Sequence, residues 1–262
     1  HDAASISAIR KDIHAHPELS FEEVRTADVV AQQLIDWGIP VHRGMGTTGV
    51  VGIVHGRDGG ACGRGIGLRA DMDALPMQEF NTFAHASRHH GKMHSCGHDG
   101  HTAMLLAAAK HIAADVQFSG TLNLIFQPAE EGLGGAKKMM EDGLFKQFPC
   151  DAVYGMHNMP GHPQGHLVLR DGAMMASSDN VTITIEGTGG HGAVPHRAAD
   201  PVVAGSATGS DFGGTPLGTA GGGLDIGRDF GAHRNVEIGP GNANPFLGGL
   251  HQEIRENGQR RL

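Results

Sequence analysis

Three short stretches carry side chains suited to gripping a metal ion and moving a proton. Cys96-Gly97-His98 sets a thiol and an imidazole two residues apart, and His101 follows three residues later. Sulfur and imidazole donors suit zinc and similar transition metals. Glu130-Glu131 places two carboxylates side by side after an apolar run and Pro128. Adjacent like charges are costly unless something positive balances them, and a metal ligand next to a general base is one use for such a pair. His157, behind Tyr154-Gly155-Met156, adds another imidazole. Each feature alone also fits an ordinary reading: a buried cysteine beside a helix start, a solvated acidic turn, a satisfied core histidine. Their common placement gives them weight.

That placement comes from the elements around them. Residues 5–15 read as a helix stopped by Pro17. Ser20-Phe21-Glu22-Glu23 reads as a capping box opening a second helix. In it Val24, Ala27, Ala31 and Leu34 recur at helical spacing, and Gly38 and Pro40 end it. Residues 50–54, 65–69, 122–126 and 152–156 read as strands, 98–114 and 136–140 as helices. Strands alternating with helices predict an α/β fold, a mostly parallel sheet with helices on both faces. In such sheets ligands bind beyond the carboxyl ends of the strands. Asp71 and Asp73 follow one strand, Glu130 and Glu131 another, and His157 a third, so one cleft collects them.

Composition narrows the field. The 262 residues suffice for one large domain or two ordinary ones, and 39% are apolar. A net charge of −8 with no basic block argues against nucleic acid or an anionic membrane as partner. No apolar run is long enough to span a bilayer. Cys62, Cys96 and Cys150 are too few and odd in number for a disulfide framework, which fits a reducing, cytoplasmic setting. Histidines number 19, most of them expected at the surface. The chain opens at His1 with no Met and no signal-peptide pattern, so the expectation is a true start that is missing or trimmed.

From Asp179 the pattern changes. Val181, Ile183 and Ile185 alternate with polar residues, as in a half-exposed strand of a second domain. Residues 206–249 hold 13 glycines in 44 positions with no sustained period, a composition poorly suited to regular structure. No internal repeat is found. The expected division is a metal-binding domain over 1–178, the start of a second domain over 179–205, and a glycine-rich tail over 206–262.

Several longer runs occur together and in order. They are Leu68-Arg69-Ala70-Asp71-Met72-Asp73-Ala74-Leu75-Pro76, Met93-His94-Ser95-Cys96-Gly97-His98-Asp99-Gly100-His101, Gln127-Pro128-Ala129-Glu130-Glu131-Gly132 and Gly155-Met156-His157-Asn158. With His14-Ala15-His16-Pro17-Glu18-Leu19-Ser20 and Gly189-Gly190-His191-Gly192-Ala193-Val194-Pro195-His196 they resemble the M20 metallopeptidase family. The resemblance is greatest to its branch of hippurate hydrolases, auxin-conjugate hydrolases and carboxypeptidases, and as read from motifs it runs from His1 to about Gly205. It implies that residues 1–178 are a catalytic domain binding two divalent metals, with zinc, manganese, cobalt and nickel all candidates, and that 179–205 begin an inserted α+β lid domain that usually forms a homodimer. It implies Cys96, His98, Glu131 and His157 as ligands with Cys96 as bridge, Glu130 as general base, and Asp73 supporting the centre. His191 would stabilise the oxyanion from the partner's lid, with His196 as alternative. Family chains carry one more histidine ligand near the C-terminus. His251 faintly resembles its setting, and a chance surface histidine is the other reading. The implied reaction is hydrolysis of N-acyl or N-aroyl amino acids, small-molecule substrates. The alternatives are a member that binds metal without turnover and a small-molecule binding module.

Overall fold

In the computed structural model the described residues are 3–172, 174, 187–189 and 191–199. They belong to two units that divide after His162. The first unit opens with α1 (Ala3–Ala15), α2 (Val24–Asp36), β1 (Val41–Met45), β2 (Gly49–His55) and β3 (Gly65–Asp71). It continues with α3 (His98–Ala114), β4 (Thr121–Gln127), α4 (Gly135–Glu141), α5 (Leu144–Gln147) and β5 (Ala152–Gly155).

The five strands form one sheet in the order β1-β2-β4-β3-β5. β3 pairs in parallel with both β4 and β5, while β2 runs antiparallel to β1 and β4. The α/β architecture is as expected, and the sheet is mixed rather than mostly parallel. A short turn joins β1 to β2, and so tight a connection permits only an antiparallel pair. β1 was not expected, because Val41-His42-Arg43-Gly44-Met45 offers no apolar run. It is an edge strand with an irregular register between Arg43 and Met45. The three parallel strands are the ones that precede the suspected residues, so their carboxyl ends share one edge.

Helices cover both faces. On one, Val30 and Leu34 of α2 and Leu106 of α3 pack with Val50, Leu124 and Phe126. On the other, Met139 of α4, Leu144 and Phe148 pack with Val51 and Ile125. Leu124 and Phe126 point one way and Ile125 the other, which is why β4 reads as continuously apolar. Complete burial of side chains such as Leu34, Leu106 and Phe126 stabilises by about 1.5–3 kcal/mol each.

The expected capping box does not form. α2 begins at Val24 with Glu23 at its N-cap and no side-chain cap bond. Ser20 Oγ donates instead to Asp73 Oδ2 at 2.8 Å, and Glu23 is fully buried among tertiary partners. Among the described residues no helix is long and apolar enough to cross a membrane. In the second unit Thr188 and Ala199 form an isolated antiparallel bridge, and Pro195–Arg197 make a short 3-10 turn. The strand expected near 181–185, the boundary at 178/179 and the tail from 206 lie outside the described residues.

Candidate metal centre

The suspected residues of the first unit meet at the carboxyl edge of β3, β4 and β5. Asp71 ends β3, and Asp73 follows two residues later. Glu130 and Glu131 lie in the turn after β4, and His157 lies just past β5. Cys96 and His98 flank the start of α3. Gly97, its N-cap, has φ +89°. A Cβ there would lie 2.1 Å from Asn158 Nδ2, so backbone conformation and close approach both require glycine between the two ligand candidates.

Asp73 is the anchor. Its Oδ1 accepts from His98 Nδ1 at 3.1 Å, and its Oδ2 accepts from the backbone N–H of Glu131 at 2.9 Å. With Nδ1 donating to Asp73, Nε2 is the nitrogen whose lone pair would be exposed once its proton is displaced, as in carboxylate–histidine–metal arrangements. His157 is set in the same way. Its Nδ1–H donates to the carbonyl of Asn158 at 2.6 Å, and its Nε2 lies 3.3 Å from Cys96 Sγ.

Donor atoms converge in three sets, each within 4.8 Å: Cys96, His98 and His157; His98, Glu130 and Glu131; Asp71, His98 and His101. The third set is already occupied. Asp71 accepts from His101 Nδ1 at 2.6 Å and pairs with Arg69 at 2.7 Å, and His101 Nε2 accepts from the Asn158 backbone N–H at 3.0 Å. In the first two sets, two atoms make no hydrogen bond. His98 Nε2 and Glu131 Oε1 are buried without a hydrogen bond, 3.7 Å apart. Orphaned polar atoms of this kind cost on the order of 1–3 kcal/mol each, and a divalent cation would satisfy both. Sulfur, imidazole and carboxylate together suit a transition metal.

The electrostatics agree. Burial alone would lower the His98 imidazole, but Asp73, Cys96 and Asp71 outweigh it and push it up to about 11. That proton marks an excess of negative charge where a cation fits. Glu130 is raised above the ordinary carboxylate range by burial, then by the charges of Glu131 and Asp71. Asp71 goes the other way. Burial would raise it, yet His101, Arg69 and His98 hold it at about 2. The cleft thus brings two buried donor atoms without hydrogen bonds beside a carboxylate raised above its ordinary range.

Sequence reasoning brought Cys96, His98, Glu130, Glu131, His157 and Asp73 to one place, and the structure gathers all six. It missed what holds them. Ser20, Arg69 and Asn158 steady Asp73, Asp71 and the two imidazoles, and only their presence inside the motif runs signalled it. His191 and His196 lie in the second unit, both exposed, His191 in a turn whose Nδ1 accepts from the Ala193 N–H at 3.1 Å. His251 lies outside the described residues.

Comparison with known proteins follows the same lines. The profile of peptidase family M20/M25/M40 matches residues 67–256, reaching well past Gly205, where the motif reading had placed the end of the resemblance. The chain is 53% identical over 198 residues to a hippurate hydrolase of Campylobacter jejuni, covering 76% of this chain and 51% of that protein. It is 45% identical over 201 residues to the IAA-amino acid hydrolase ILR1-like 5 of Arabidopsis thaliana, covering 76% and 44%. The Bacillus subtilis YXEP protein, described as a dinuclear metal binding peptidase of the M20 family, superposes with a TM-score of 0.68 at 28% identity. That superposition covers 97% of this chain and 63% of the other. The chain spans about half the length of the curated relatives it matches. With a family match over most of its length, beginning at the strand that carries Asp71, the chain belongs to peptidase family M20/M25/M40.

Proposed function

We propose that this chain hydrolyses the amide bond of N-acyl or N-aroyl amino acids, hippurate-like small molecules, at a two-metal centre. The observation that carries the reading is the pair of buried atoms without hydrogen bonds, His98 Nε2 and Glu131 Oε1, with His98 also converging on Cys96 and His157. The name of the Campylobacter jejuni relative points to the substrate class, and the description of the Bacillus subtilis structure to two metals.

Cys96, His98, Glu131 and His157 would hold the metals. Zinc, manganese, cobalt and nickel all suit this donor set. When bound, the metals supply Lewis acidity toward water and the amide carbonyl. The remaining work belongs to the chain. Glu130, raised by burial and by Glu131, accepts the proton of the attacking water and returns it to the leaving amine. The products are an acyl acid and a free amino acid. Asp73 keeps His98 in the tautomer that presents Nε2. His191, with His196 as alternative, would donate to the oxyanion from the lid of a homodimer. In this reading residues 1–178 form the catalytic domain and 179–205 begin the lid.

Elemental analysis of the purified chain tests the centre. At least one divalent transition metal is expected in the wild type and little in the Cys96→Ala, His98→Ala double variant. Equal metal in both would remove the assignment. Metal binding without any hydrolysis of hippurate or N-acetyl amino acids would make this a metal-binding member without turnover.

A further inference from the structure

Glu23 is a carboxylate with no exposed surface, lodged at the start of α2. An isolated carboxylate in such a place is unfavourable unless its oxygens are well used. Both are. Oε2 accepts from the Thr48 hydroxyl at 2.6 Å, and Oε1 accepts from the backbone N–H of Ala129 at 2.8 Å. Burial still pushes the Glu23 carboxyl above its ordinary value, against the pull of Thr48 and Ala129.

Ala129 is the residue before Glu130 and Glu131, and it is strained. Its φ is +48°, a left-handed conformation that a residue with a Cβ adopts reluctantly, and it is completely buried. Such a conformation persists only where the surroundings over-determine it. Here the Ala129 carbonyl accepts from the Gly135 N–H at 2.9 Å, and the Glu131 N–H donates to Asp73 at 2.9 Å. Gly135 packs so tightly on Pro128 that a Cβ would meet its carbonyl oxygen at 1.8 Å. The Ala129 N–H has Glu23 as its partner.

From this geometry we infer that Glu23 is a positioning residue for Glu130 and Glu131. By holding the Ala129 N–H it fixes the turn that aims both carboxylates into the centre. Thr48, in the turn between β1 and β2, holds Glu23 in turn. The inference rests on the metal-centre reading above and adds to it a residue that touches neither metal nor substrate.

Cobalt titration followed by visible absorption tests it, because ligand geometry sets the cobalt bands independently of turnover. Glu23→Asp keeps the charge but draws the oxygens back by one methylene. Cobalt affinity should fall by about 10–100-fold, the usual cost of losing an outer support, and the bands should shift. Glu23→Gln should bind like wild type, since its amide oxygen can accept from Ala129 and its amide nitrogen can donate to Thr48 Oγ. Unchanged affinity and bands in Glu23→Asp would overturn the inference, as would equal impairment of Asp and Gln. If Glu23→Asp does not fold, Thr48→Val decides: weakened cobalt binding supports the role, and wild-type binding overturns it. Thermal midpoints of the metal-free variants separate a general stability effect, which would leave the cobalt bands in place. A wild type that takes up no cobalt, or a His98→Ala variant that binds it equally well, would instead remove the metal centre, and this inference with it.

Discussion

Two buried histidine–carboxylate clusters lie back to back at the start of α3, and successive residues of the chain serve them. His98 turns into the candidate metal centre, where Asp73 takes one ring nitrogen and the other makes no hydrogen bond. Asp99 turns the opposite way, to His14. There His14 Nδ1 lies 3.0 Å from Asp99 and Nε2 3.2 Å from Glu79, so both nitrogens are taken, and Arg10 adds a 3.0 Å contact to Asp99. The donor types are nearly the same, and the difference is saturation of the imidazole: both ring nitrogens of His14 are bonded and one of His98 is bare, while each cluster keeps one buried carboxylate oxygen without a hydrogen bond, Asp99 Oδ1 and Glu131 Oε1. A cluster with a saturated imidazole ties elements together, here α1, α3 and the segment carrying Glu79. One with several donors converging on a bare nitrogen has room for a ligand. Both conditions are needed. Neighbouring His94 is buried with neither ring nitrogen bonded, and burial lowers it to about 4. Yet among the described residues no set of three donors includes it.

The largest effect should fall on the unsaturated side. Glu130→Gln keeps the shape of the side chain and removes the base. If the chain hydrolyses hippurate, turnover should drop by about 10²–10⁴-fold or more, while bound metal stays near the wild-type level. A variant that keeps most of its rate would transfer the proton to another group, and Glu131 is the nearest candidate.

A smaller effect should follow from the support of the bare nitrogen. Asp73→Ala frees His98 Nδ1, Ser20 Oγ and the Glu131 N–H together. Metal affinity should fall by about 10–100-fold, measured by competition with a chelator. Affinity equal to wild type would mean that the ring of His98 is held by packing alone, and the contrast between the clusters would lose its basis.

Legibility in the sequence followed the same division. The donors of the centre were readable because their types are unusual together and the strands ahead of them are plainly apolar. Helix α3 was readable from end to end, since Gly97 and an alanine-rich run mark it. What the sequence did not reveal was polar partnership at a distance. Ser20 and Glu23 carry the local signature of a helix cap, but Asp73, Thr48 and Ala129 compete for them and win. Asp71 was legible as a strand-end carboxylate beside the cleft, but its partnership with Arg69 and His101 was not. His14 sat in a motif run with no role, because Glu79 and Asp99 reach it from 65 and 85 positions away. β1 lacked an apolar pattern, and the mixed direction of the sheet depends on it and on β2.

The smallest effect on the centre should come from His14, which makes the saturated cluster the control. The Asp99 hydrogen bond raises the His14 imidazole above its ordinary 6.5, against burial, and Glu79 adds to the rise. A histidine raised in the folded state contributes stability that is fully present below 6.5 and disappears as pH rises through the raised value. Asp99 and Glu79 are lowered, since their partners outweigh burial. Their share is present above their ordinary 3.8 and 4.5 and disappears as pH falls through the lowered values. The cluster therefore stabilises most between the ordinary carboxylate values and 6.5. His14→Gln should cost on the order of 1.5–3 kcal/mol in that window, the worth of a hydrogen bond to a charged group. The deficit should shrink at alkaline pH, where the wild type has also lost the charge. Urea unfolding of the metal-free protein at about pH 5.5 and about pH 9 reads the difference directly. A deficit that stays flat or widens with pH would mean that His14 is not held as a cation. Metal content should remain that of wild type throughout, and loss of metal would show that the two clusters are coupled through the His98-Asp99 backbone.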